Sequence, residues 1–423
     1  VRASQPADPP HLVVYFDQLH LSPSSARRVA RDLERFIAEG QVAADRVAIL
    51  RQDFDLELKV GFGSTLDQLA AAIEGIADSS NLAGGEVAAR QALQRMQLNW
   101  EYARSLPNPC QIMANLTKAE VRSRSAELRH HFDVSLGNLN ATARFLAGLP
   151  GLKTLVLVSD SLEIRPAEDL LLFARNVCPG ETELNELELL GEATDQVKAL
   201  QDFALSANAN RVTFYPLQAS GLAYSTTFGA ENRALDSRAS RGVDTTLRRV
   251  QQTGLLSLAE ETGGVATLNS NRFLQPLESI ARDMGTYYSL AYAPPTAGDG
   301  KNHSIEVKVG ARNATVRHRL GYRDKSATEK RDERLEGAIA FGVMDNPSGM
   351  RLAVGTLEVD EDDRFRMPLH VLVPSAGLAF LPGRDQAAAR VEIVARAREA
   401  ASGQLVEQTE TLTAIRATDG SAT

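Results

Sequence analysis

Strand-length apolar runs alternate with amphipathic segments through the first two thirds of this 423-residue chain. The run Leu152 to Ser159 (LKTLVLVS) is the strongest strand pattern, and His11 to Phe16 (HLVVYF) is the first in the series. Both are apolar at consecutive positions, which is typical of strands buried on both faces of a parallel sheet. Between such runs, apolar residues recur every three or four positions, as at Val29, Leu33 and Phe36, and this spacing predicts helices with one buried face. The alternation predicts an α/β fold with an open, doubly wound, mostly parallel sheet of the Rossmann type.

Two segments of the first part of the chain depart from this alternation. Residues 86 to 147 are helical in pattern almost throughout, with a break near Pro107 and Pro109, and they predict a helical insertion. Residues 1 to 10 are polar and proline-rich and predict an N-terminal tail. Because the chain begins with Val, we expect that a signal peptide has already been removed.

The periodicity changes after a highly charged stretch at residues 324 to 334 (DKSATEKRDER). A stretch with so few apolar residues predicts a linker or an exposed helix at a domain boundary. Beyond it, strand-length segments such as Arg351 to Val359 and Arg390 to Arg398 are separated by turn-forming residues, with no helical pattern between them. Residues 335 to 423 are therefore predicted to form a small all-β, sandwich-like domain, which leaves residues 11 to 323 for the α/β domain.

The charge distribution argues against nucleic acid as a partner. The 46 Lys and Arg residues are outnumbered by 54 Asp and Glu residues, for a net charge of −8, and they are dispersed along the chain. Binding a phosphate backbone requires a clustered basic face. No apolar run approaches the roughly 20 residues needed to cross a bilayer, so no transmembrane segment is predicted. The expected partners are other proteins, including further copies of this chain.

Cys110 and Cys178 are the two cysteines of the chain. Two are few for a metal cluster or a disulfide-rich scaffold. They could pair in a single disulfide if the protein is exported, or remain two unrelated thiols. The residues leave both interpretations open.

Two aspartates follow the two strongest strand patterns. Asp17 comes directly after the first strand, and Asp160 follows the run that ends at Ser159. In an open parallel sheet, ligands bind at the carboxyl ends of the strands, near the point where the strand order reverses. Two carboxylates that face each other across such a crevice suit a divalent cation such as Mg²⁺ or Ca²⁺. We therefore expect any ligand site of the α/β domain to lie there.

Several longer phrases, taken together with the order of elements, carry a resemblance to a known family. They are LAGLPGLKTLVLVSDSLEIRP at residues 146 to 166, VTFYPLQASGL at 212 to 222 and LAEETGGVATLNSNRFLQPLESIARDMGTYYSLAYAPP at 258 to 295. Over roughly residues 11 to 323 the chain resembles von Willebrand factor A-related proteins of bacteria. The resemblance implies a doubly wound sheet with one antiparallel edge strand, for which Leu56 to Val60 is the candidate. It also implies an exported adhesion, recognition or assembly protein, periplasmic, cell-surface or secreted, and not an enzyme.

Many members of that family bind a metal ion through a DxSxS motif after the first strand, a threonine in a later loop and an aspartate after the fourth strand. Asp17 and Asp160 match the two aspartates. Leu19 and Leu21 stand at the two serine positions, and the threonine region, Asn81 to Glu86, contains no threonine. Leucine side chains offer no oxygen, so we expect no dedicated metal site and no cofactor. Asp17 and Asp160 are at most weak ligands for Mg²⁺ or Ca²⁺.

Two groups of residues are candidates for binding a protein partner. Leu19, His20 and Leu21 would form an apolar contact at the strand end if they are exposed, or part of the core if they are covered. Trp100 and Tyr102 lie on the predicted insertion, and aromatic residues of this kind are enriched at protein interfaces.

No motif in the sequence points to catalysis. Ser159 to Ser161 (SDS) lacks the glycines of a nucleophile elbow, and Gly61 to Gly63 (GFG) lacks the third glycine of a dinucleotide-binding loop. The leading interpretation is a non-enzymatic, exported, metal-independent binding or scaffolding module. Two alternatives stay open: a metal-dependent adhesin that uses Asp17 and Asp160, and an enzyme whose site has no recognisable motif.

Overall fold

A computed structural model describes most of the chain. The described residues are 9–78, 85–182, 184, 196–221, 237–288, 298–310, 316–341, 349–356, 358–359, 365–382, 386–398 and 405–417. Most of the region in which a metal-binding threonine was sought, Asn81 to Glu86, lies outside them. The chain divides into two compact units, Val1–Gly342 and Val343–Thr423, which are described separately.

Five strands form the central sheet of the first unit. They are β1 (His11–Asp17), β2 (Val47–Gln52), β3 (Leu56–Val60), β4 (Lys153–Ser159) and β5 (Val212–Gln218). Their order is β3-β2-β1-β4-β5, and every neighbouring pair is parallel except β2 and β3. The predicted α/β fold with a mostly parallel sheet is confirmed, and so is the antiparallel edge strand at Leu56–Val60.

Nine helices are described in the first unit. They are α1 (Pro23–Ala38), α2 (Leu66–Asp78), α3 (Gly85–Ala103), α4 (Pro109–Ala147), α5 (Glu168–Val177), α6 (Gln196–Ala209), α7 (Ser237–Thr262), α8 (Leu274–Gly285) and α9 (Ala327–Phe341). None of these described helices is both long and apolar enough to cross a membrane. The predicted helical insertion is present as α3 and α4, with the break between them at residues 104–108.

The main apolar core lies between one face of the sheet and the helices α1, α2 and α8. Ser22 caps α1, because its Oγ accepts a hydrogen bond from the Ser25 backbone N–H, and Pro23 occupies the first turn, where no donor is needed. Leu33 of α1, Ile73 of α2 and Leu277 of α8 then pack on the sheet with its own apolar side chains. On the other side, α4, α6 and α7 contact β5. Helices therefore cover both faces, as the consecutive apolar residues of the strands require.

The short apolar run Val265 to Leu268 also predicts a sixth strand, but this segment makes only a single parallel bridge, between Thr267 and Leu217 of β5. Tyr287 to Tyr292, His303 to Val309 and Thr315 to Arg319 predict a β element at the end of the domain. In the described residues of this region, β6 (Asn302–Ser304) pairs antiparallel with β7 (Gly321–Arg323). The prediction for Thr315 to Arg319 falls partly outside the described residues.

A second apolar core is built by the insertion. Its members come from α3, the first part of α4, α5 and Leu184, and include Leu93, Met96, Met113 and Leu170. We call α3, α5 and residues 109–135 of α4 the helical cap. Cys110 and Cys178 form a disulfide that joins the start of α4 to the end of α5. Of the two interpretations left open for the cysteines, the structure has the paired one.

The charged stretch at residues 324–334 is not a linker. Most of it lies in α9, which packs on α4: Arg144 donates to Glu336 at 2.9 Å, and Gly337 approaches the Phe145 carbonyl. Within the stretch, the buried Lys325 forms an ion pair with Glu333, and further along the helix Gly337 and Phe341 are buried. The apolar segment Ala338 to Val343 predicts a strand, but the helix continues through Phe341, so that prediction is wrong. The units divide after Gly342 rather than within the charged stretch.

The second unit contains small antiparallel sheets. Its strands are β8 (Arg351–Val354), β9 (Glu358–Val359), β10 (Phe365–Arg366), β11 (Leu369–Leu372), β12 (Leu381–Pro382), β13 (Gln386–Arg398) and β14 (Leu405–Ala417). They form the pairs β8–β11 and β9–β10 and the three-stranded sheet β12-β13-β14. Within the described part of this unit, apolar side chains such as Leu352, Val354 and Leu372 are exposed. The antiparallel strands agree with the prediction, but the two facing sheets of a sandwich are not seen there.

A pair of glycine substitutions tests how closely α7 approaches the loop after β4. A Cβ on Gly254 would lie 2.2 Å from the Leu162 carbonyl oxygen, whereas nothing lies within 4 Å of a Cβ on Gly75 of α2. We expect Gly254→Ala to lower the free energy of unfolding by about 1–3 kcal/mol, because the backbones must separate. The control Gly75→Ala should raise it by about 0.5–1 kcal/mol, because alanine favours a helix. Urea unfolding followed by circular dichroism measures both, and a Gly254→Ala protein as stable as the parent would contradict the close approach.

Candidate functional site

The carboxyl ends of β1 and β4 meet where the strand order of the sheet reverses. β1 pairs with β2 on one side and with β4 on the other, so Asp17 and Ser159 end neighbouring strands. Ser159 Oγ donates to Asp17 Oδ2 at 3.3 Å. Asp160 lies in the same place, because its backbone N–H donates to the His20 carbonyl at 3.0 Å. The predicted aspartates therefore lie together at the expected edge of the sheet.

The Asp17 carboxylate is buried and surrounded by hydrogen-bond donors. His20 Nδ1 lies 2.8 Å from Oδ2, and Ser135 Oγ of α4 donates to Oδ1 at 3.3 Å. Gln52 Nε2 donates to Ser135 Oγ at 3.0 Å, and the Tyr15 hydroxyl donates to Gln52 Oε1 at 2.8 Å. A continuous polar chain thus joins β1, β2 and α4 around one buried charge, and each member needs its neighbours.

Asp160 is held by a local backbone contact. Its Oδ2 accepts a hydrogen bond from the Ser22 N–H at 2.9 Å, just before α1. The carboxylate therefore stabilises the start of the helix that follows β1, which is a structural role for a buried carboxylate.

His20 supplies the charge that balances Asp17. Burial lowers the pKa of His20, but the charge and hydrogen bond of Asp17, together with Glu163, outweigh burial and raise the pKa above its ordinary value. The stabilisation from this pair is complete below the unfolded pKa of His20, near 6.5, and is lost as pH rises through the raised folded value.

Asp17, His20 and Ser135 are the residue types of a hydrolase triad, but they lack its geometry. In such a triad one imidazole nitrogen contacts the acid and the other contacts the nucleophile. Here Nδ1 of His20 lies near both Asp17 Oδ2, at 2.8 Å, and Ser135 Oγ, at 3.4 Å. Ser135 is fully buried, so no substrate could reach its hydroxyl. The arrangement is suited to stabilising the fold rather than to nucleophilic attack.

The donor set at this edge also fits a metal ion poorly. Leu19 and Leu21 are buried and offer no oxygen, and the Asp17 carboxylate already accepts hydrogen bonds from three side chains. A hard divalent cation needs about six oxygen ligands. In the part of the chain that the structure describes, no group of three or more His, Cys, Asp or Glu side chains is placed to hold a metal.

The structure separates the predicted protein-binding residues. Leu19, His20 and Leu21 are buried, and Leu21 belongs to the main core, so of the two possibilities left open for them the structure has the covered one, and they form no contact surface. Trp100 is partly buried against the core of the helical cap, whereas Tyr102 is 61% exposed.

Leu98 was missed by sequence reasoning. It is 70% exposed and lies one helical turn before Tyr102 on α3, so the two side chains share a face. The buried positions of this helix include Leu93, Met96 and Ala103. From the sequence alone, an apolar residue between such positions is expected to be buried. The packing of α3 shows that Leu98 lies outside the buried face of this helix.

A second group of buried charges involves the helical cap and the segment after β4. Glu163 follows β4, Asp169 is in the first turn of α5, and Arg124 belongs to α4. Burial raises the pKa of Glu163, and burial together with the charge of Glu163 raises the pKa of Asp169 to about 7. Sequence patterns did not single out these residues, because acids near a helix start usually face solvent.

A surface groove lies away from Asp17. It has a volume of about 1010 Å³ and includes Tyr215 of β5 and Asp283 of α8. Asp283 forms an ion pair with Arg317 at 2.8 Å, and the Tyr215 hydroxyl donates to the same carboxylate at 3.3 Å. These polar groups neutralise one another, and they do not form an acid, base and nucleophile set.

The fold of the first unit is an α/β fold with a mostly parallel sheet, compatible with a Rossmann-like arrangement. No protein-family model matches the chain, and no curated protein matches its sequence.

The substitution Asp17→Asn tests the charge balance at the sheet edge. Without the carboxylate, burial dominates, so we expect the pKa of His20 to fall below its ordinary value of 6.5. His131 lies edge to face with His20, at 6.0 Å between ring centroids, and its pKa is lowered by burial and by His20. Its pKa should therefore rise in the variant. Histidine titration by NMR measures both, and an unchanged His20 would rule out the pairing with Asp17.

Proposed function

We propose that this protein is an exported, non-enzymatic protein-binding or scaffolding module of the von Willebrand factor A type, and that it works without a metal ion. The mostly parallel sheet with an antiparallel β3 at its edge supports the family, because the sequence resemblance implies a doubly wound sheet with one antiparallel edge strand. Loss of both serine positions to leucine makes this a divergent member.

The main support for the proposal is that the protein's own side chains occupy the space at the carboxyl end of the sheet. His20 and Ser135 satisfy the buried Asp17 carboxylate, and Leu19 and Leu21 pack below the surface. A cation or a small substrate would have to displace α4 to reach this carboxylate. Binding is then expected at other surfaces, of which the helical cap is the best defined.

The disulfide supports export. Disulfides persist in oxidising compartments and are rare in the cytosol, where thiols are kept reduced. The bond between Cys110 and Cys178 closes a loop with a sequence separation of 68, and it joins two helices of the cap. This bond makes the cap more rigid, since a disulfide that closes such a loop contributes about 2–4 kcal/mol to the free energy of unfolding.

The proposed contact surface consists of Leu98 and Tyr102 on α3. Two large apolar side chains that are 70% and 61% exposed and one turn apart form a continuous patch on a braced helix. Tyrosine is enriched among the residues that contribute most to the free energy of binding at protein interfaces.

Metal independence gives the first test. Because the Asp17 oxygens are occupied by hydrogen bonds from within the protein, we expect no heat of binding and no change in melting temperature with millimolar Mg²⁺, Mn²⁺ or Ca²⁺. Isothermal titration and thermal unfolding measure these, with an EDTA-treated sample as the control. A specific stabilisation by one cation that Asp17→Asn abolishes would favour a metal-dependent adhesin instead.

The contact surface gives the second test. The double substitution Leu98→Ser and Tyr102→Ser should remove proteins that co-purify with the parent from its native source, because it removes the apolar patch without touching the core. The matched control is Leu256→Ser on α7, a leucine that is 39% exposed on a different helix. Quantitative affinity purification compares the three, and equal recovery from all of them would exclude this surface.

A further inference from the structure

A lysine, an asparagine amide and a carboxylate meet where α9 begins. Asn210 lies between α6 and β5, and Lys325 lies between β7 and α9. Lys325 Nζ donates hydrogen bonds to Asn210 Oδ1 and to Glu333 Oε1, and the contact with Glu333 is also an ion pair. Asn210 and Lys325 are 115 positions apart in the chain. The fold therefore brings an amine directly beside the amide of a distant residue.

Asn210 is held by the backbone at the end of α6. Its N–H donates to the Ser206 carbonyl at 3.0 Å, and Arg211, the next residue, has a left-handed backbone with a φ of 58°. The chain turns there into β5, so Asn210 lies at the amino end of that strand, on the opposite edge of the sheet from Asp17. The amide is thus fixed at a rigid junction of helix and strand.

Lys325 is held at the start of α9. Ser326 follows it, and Ser326 Oγ accepts a hydrogen bond from the Glu329 N–H at 3.2 Å, while Glu329 Oε2 accepts one from the Ser326 N–H at 2.9 Å. This reciprocal cap fixes the first turn of the helix. Glu333 comes one turn after Glu329 on the same face of α9, and α6 contacts β7, the strand before Lys325. The three side chains are therefore positioned by elements that pack on one another.

The three side chains are largely removed from solvent. Asn210 is 3% and Lys325 is 7% exposed, and the Glu333 side chain is 15% exposed. Burial lowers the pKa of the Lys325 ammonium, although the hydrogen bond and the charge of Glu333 act in the opposite direction. A buried amine favours its neutral form, which is the form that carries a free electron pair. A carboxylate in contact with it can take up the proton that the amine releases.

We propose that Lys325 and Asn210 become joined by an intramolecular isopeptide bond, and that Glu333 is the catalytic residue that moves the protons. The hydrogen bond from Nζ to Oδ1 places the amine beside Cγ, the carbon that carries Oδ1. This is the arrangement in which an amine adds to a carbonyl group, and the fold holds the two groups together at no cost in further ordering. The inference does not depend on the proposed binding function.

The reaction balances without any co-reactant. The Glu333 carboxylate takes a proton from the Lys325 ammonium, the neutral Nζ forms a bond to Asn210 Cγ, and the electron pair of the C=O bond moves to Oδ1. Nζ then loses its second proton to Glu333, Nδ2 gains a proton from it, and the Cγ–Nδ2 bond breaks as the carbonyl re-forms. Nδ2 leaves as ammonia, which carries away the remaining proton as ammonium and restores the Glu333 carboxylate. One ammonium group and one amide become a substituted amide and one ammonium ion.

The leaving group has a path to solvent. A groove of about 610 Å³ is lined by Asn210, Lys325 and Glu333, together with Ser206 and Asn302. Ammonia released at Nδ2 enters this groove and is diluted into the solvent, which makes the step irreversible in practice.

The bond would attach the start of α9 covalently to the amino end of β5. The chain continues through α9 into the second unit, so a pulling force applied there would pass directly to Asn210. The residues between positions 210 and 325 would then carry none of that force. Unlike the disulfide in the helical cap, an amide bond also persists under reducing conditions.

The mass of the intact full-length chain gives the first test. After denaturation and reduction of the disulfide, the parent should be about 17 Da lighter than its sequence requires, because one ammonia is lost. A tryptic digest should then contain residues 199–211 joined to residues 324–330 in a single ion. Trypsin does not cleave after an acylated lysine, so the chain should stay uncut between positions 325 and 326.

Two variants and two matched controls test the roles of the side chains. Lys325→Arg has no nucleophilic amine and Glu333→Gln has no proton acceptor, so both should have the full mass of their own sequences. Lys330→Arg replaces an exposed lysine of α9, and Glu336→Gln replaces a glutamate of the same helix that pairs with Arg144. Both controls should show the same mass deficit as the parent.

Three results would each overturn the proposal. One is a parent protein with the full mass of its sequence. Another is a deficit without the linked peptides, or one that remains in Lys325→Arg, since ring closure of an asparagine to a succinimide also releases ammonia. The third is a Glu333→Gln protein that is linked as completely as the parent, which would remove Glu333 from the reaction. The parent measurement needs no variant, so it decides the matter even if Lys325→Arg does not fold.

Discussion

The buried charge of Asp17 constrains the whole first unit. A carboxylate at the reversal point of a parallel sheet is surrounded by strand ends and has little access to water, so its charge must be balanced and its oxygens must be hydrogen-bonded. His20 balances the charge, and Ser135 and Ser159 complete the hydrogen bonding of the carboxylate oxygens. Because these partners come from the segment after β1, from α4 and from β4, satisfying one carboxylate fixes the position of α4 over the sheet.

The first part of α4 also contributes to an apolar core of its own, distinct from the core between the sheet and α1, α2 and α8. The core on the sheet is built from strands and helices in the ordinary α/β manner, whereas the core of the helical cap involves helices alone and is closed by the disulfide between Cys110 and Cys178. The helical cap is joined to the rest of the unit by helix packing as well as through α4, because α5 packs against α7.

Local patterns of the sequence are sufficient to predict the strands of the sheet, but not the contacts that surround it. Consecutive apolar residues in β1 and β4 identify buried strands because burial on both faces is a property of the strand itself. Ser135 was not predicted as a partner of Asp17, because the contact spans 118 positions and depends on how α4 crosses the sheet edge. The charge density of residues 324–334 predicts a domain boundary, because charge can be read directly from the sequence. The burial of Gly337 and Phe341, three and seven residues beyond this stretch, cannot be read from the sequence, because it depends on how the helix packs.

The two leucines after β1 and the long helix α4 are best understood as parts of one arrangement. Where a metal-binding member of the proposed family would present two hydroxyls to a cation, Leu19 and Leu21 turn into the protein and need an apolar cover, and the vacated position beside Asp17 needs a donor. The main core between the sheet and α1 takes in Leu21, and α4 brings the Ser135 hydroxyl to the carboxylate. A serine at position 19 or 21 would then be a buried hydroxyl in need of a partner, so restoring the motif alone would destabilise this protein before it recreated a metal site.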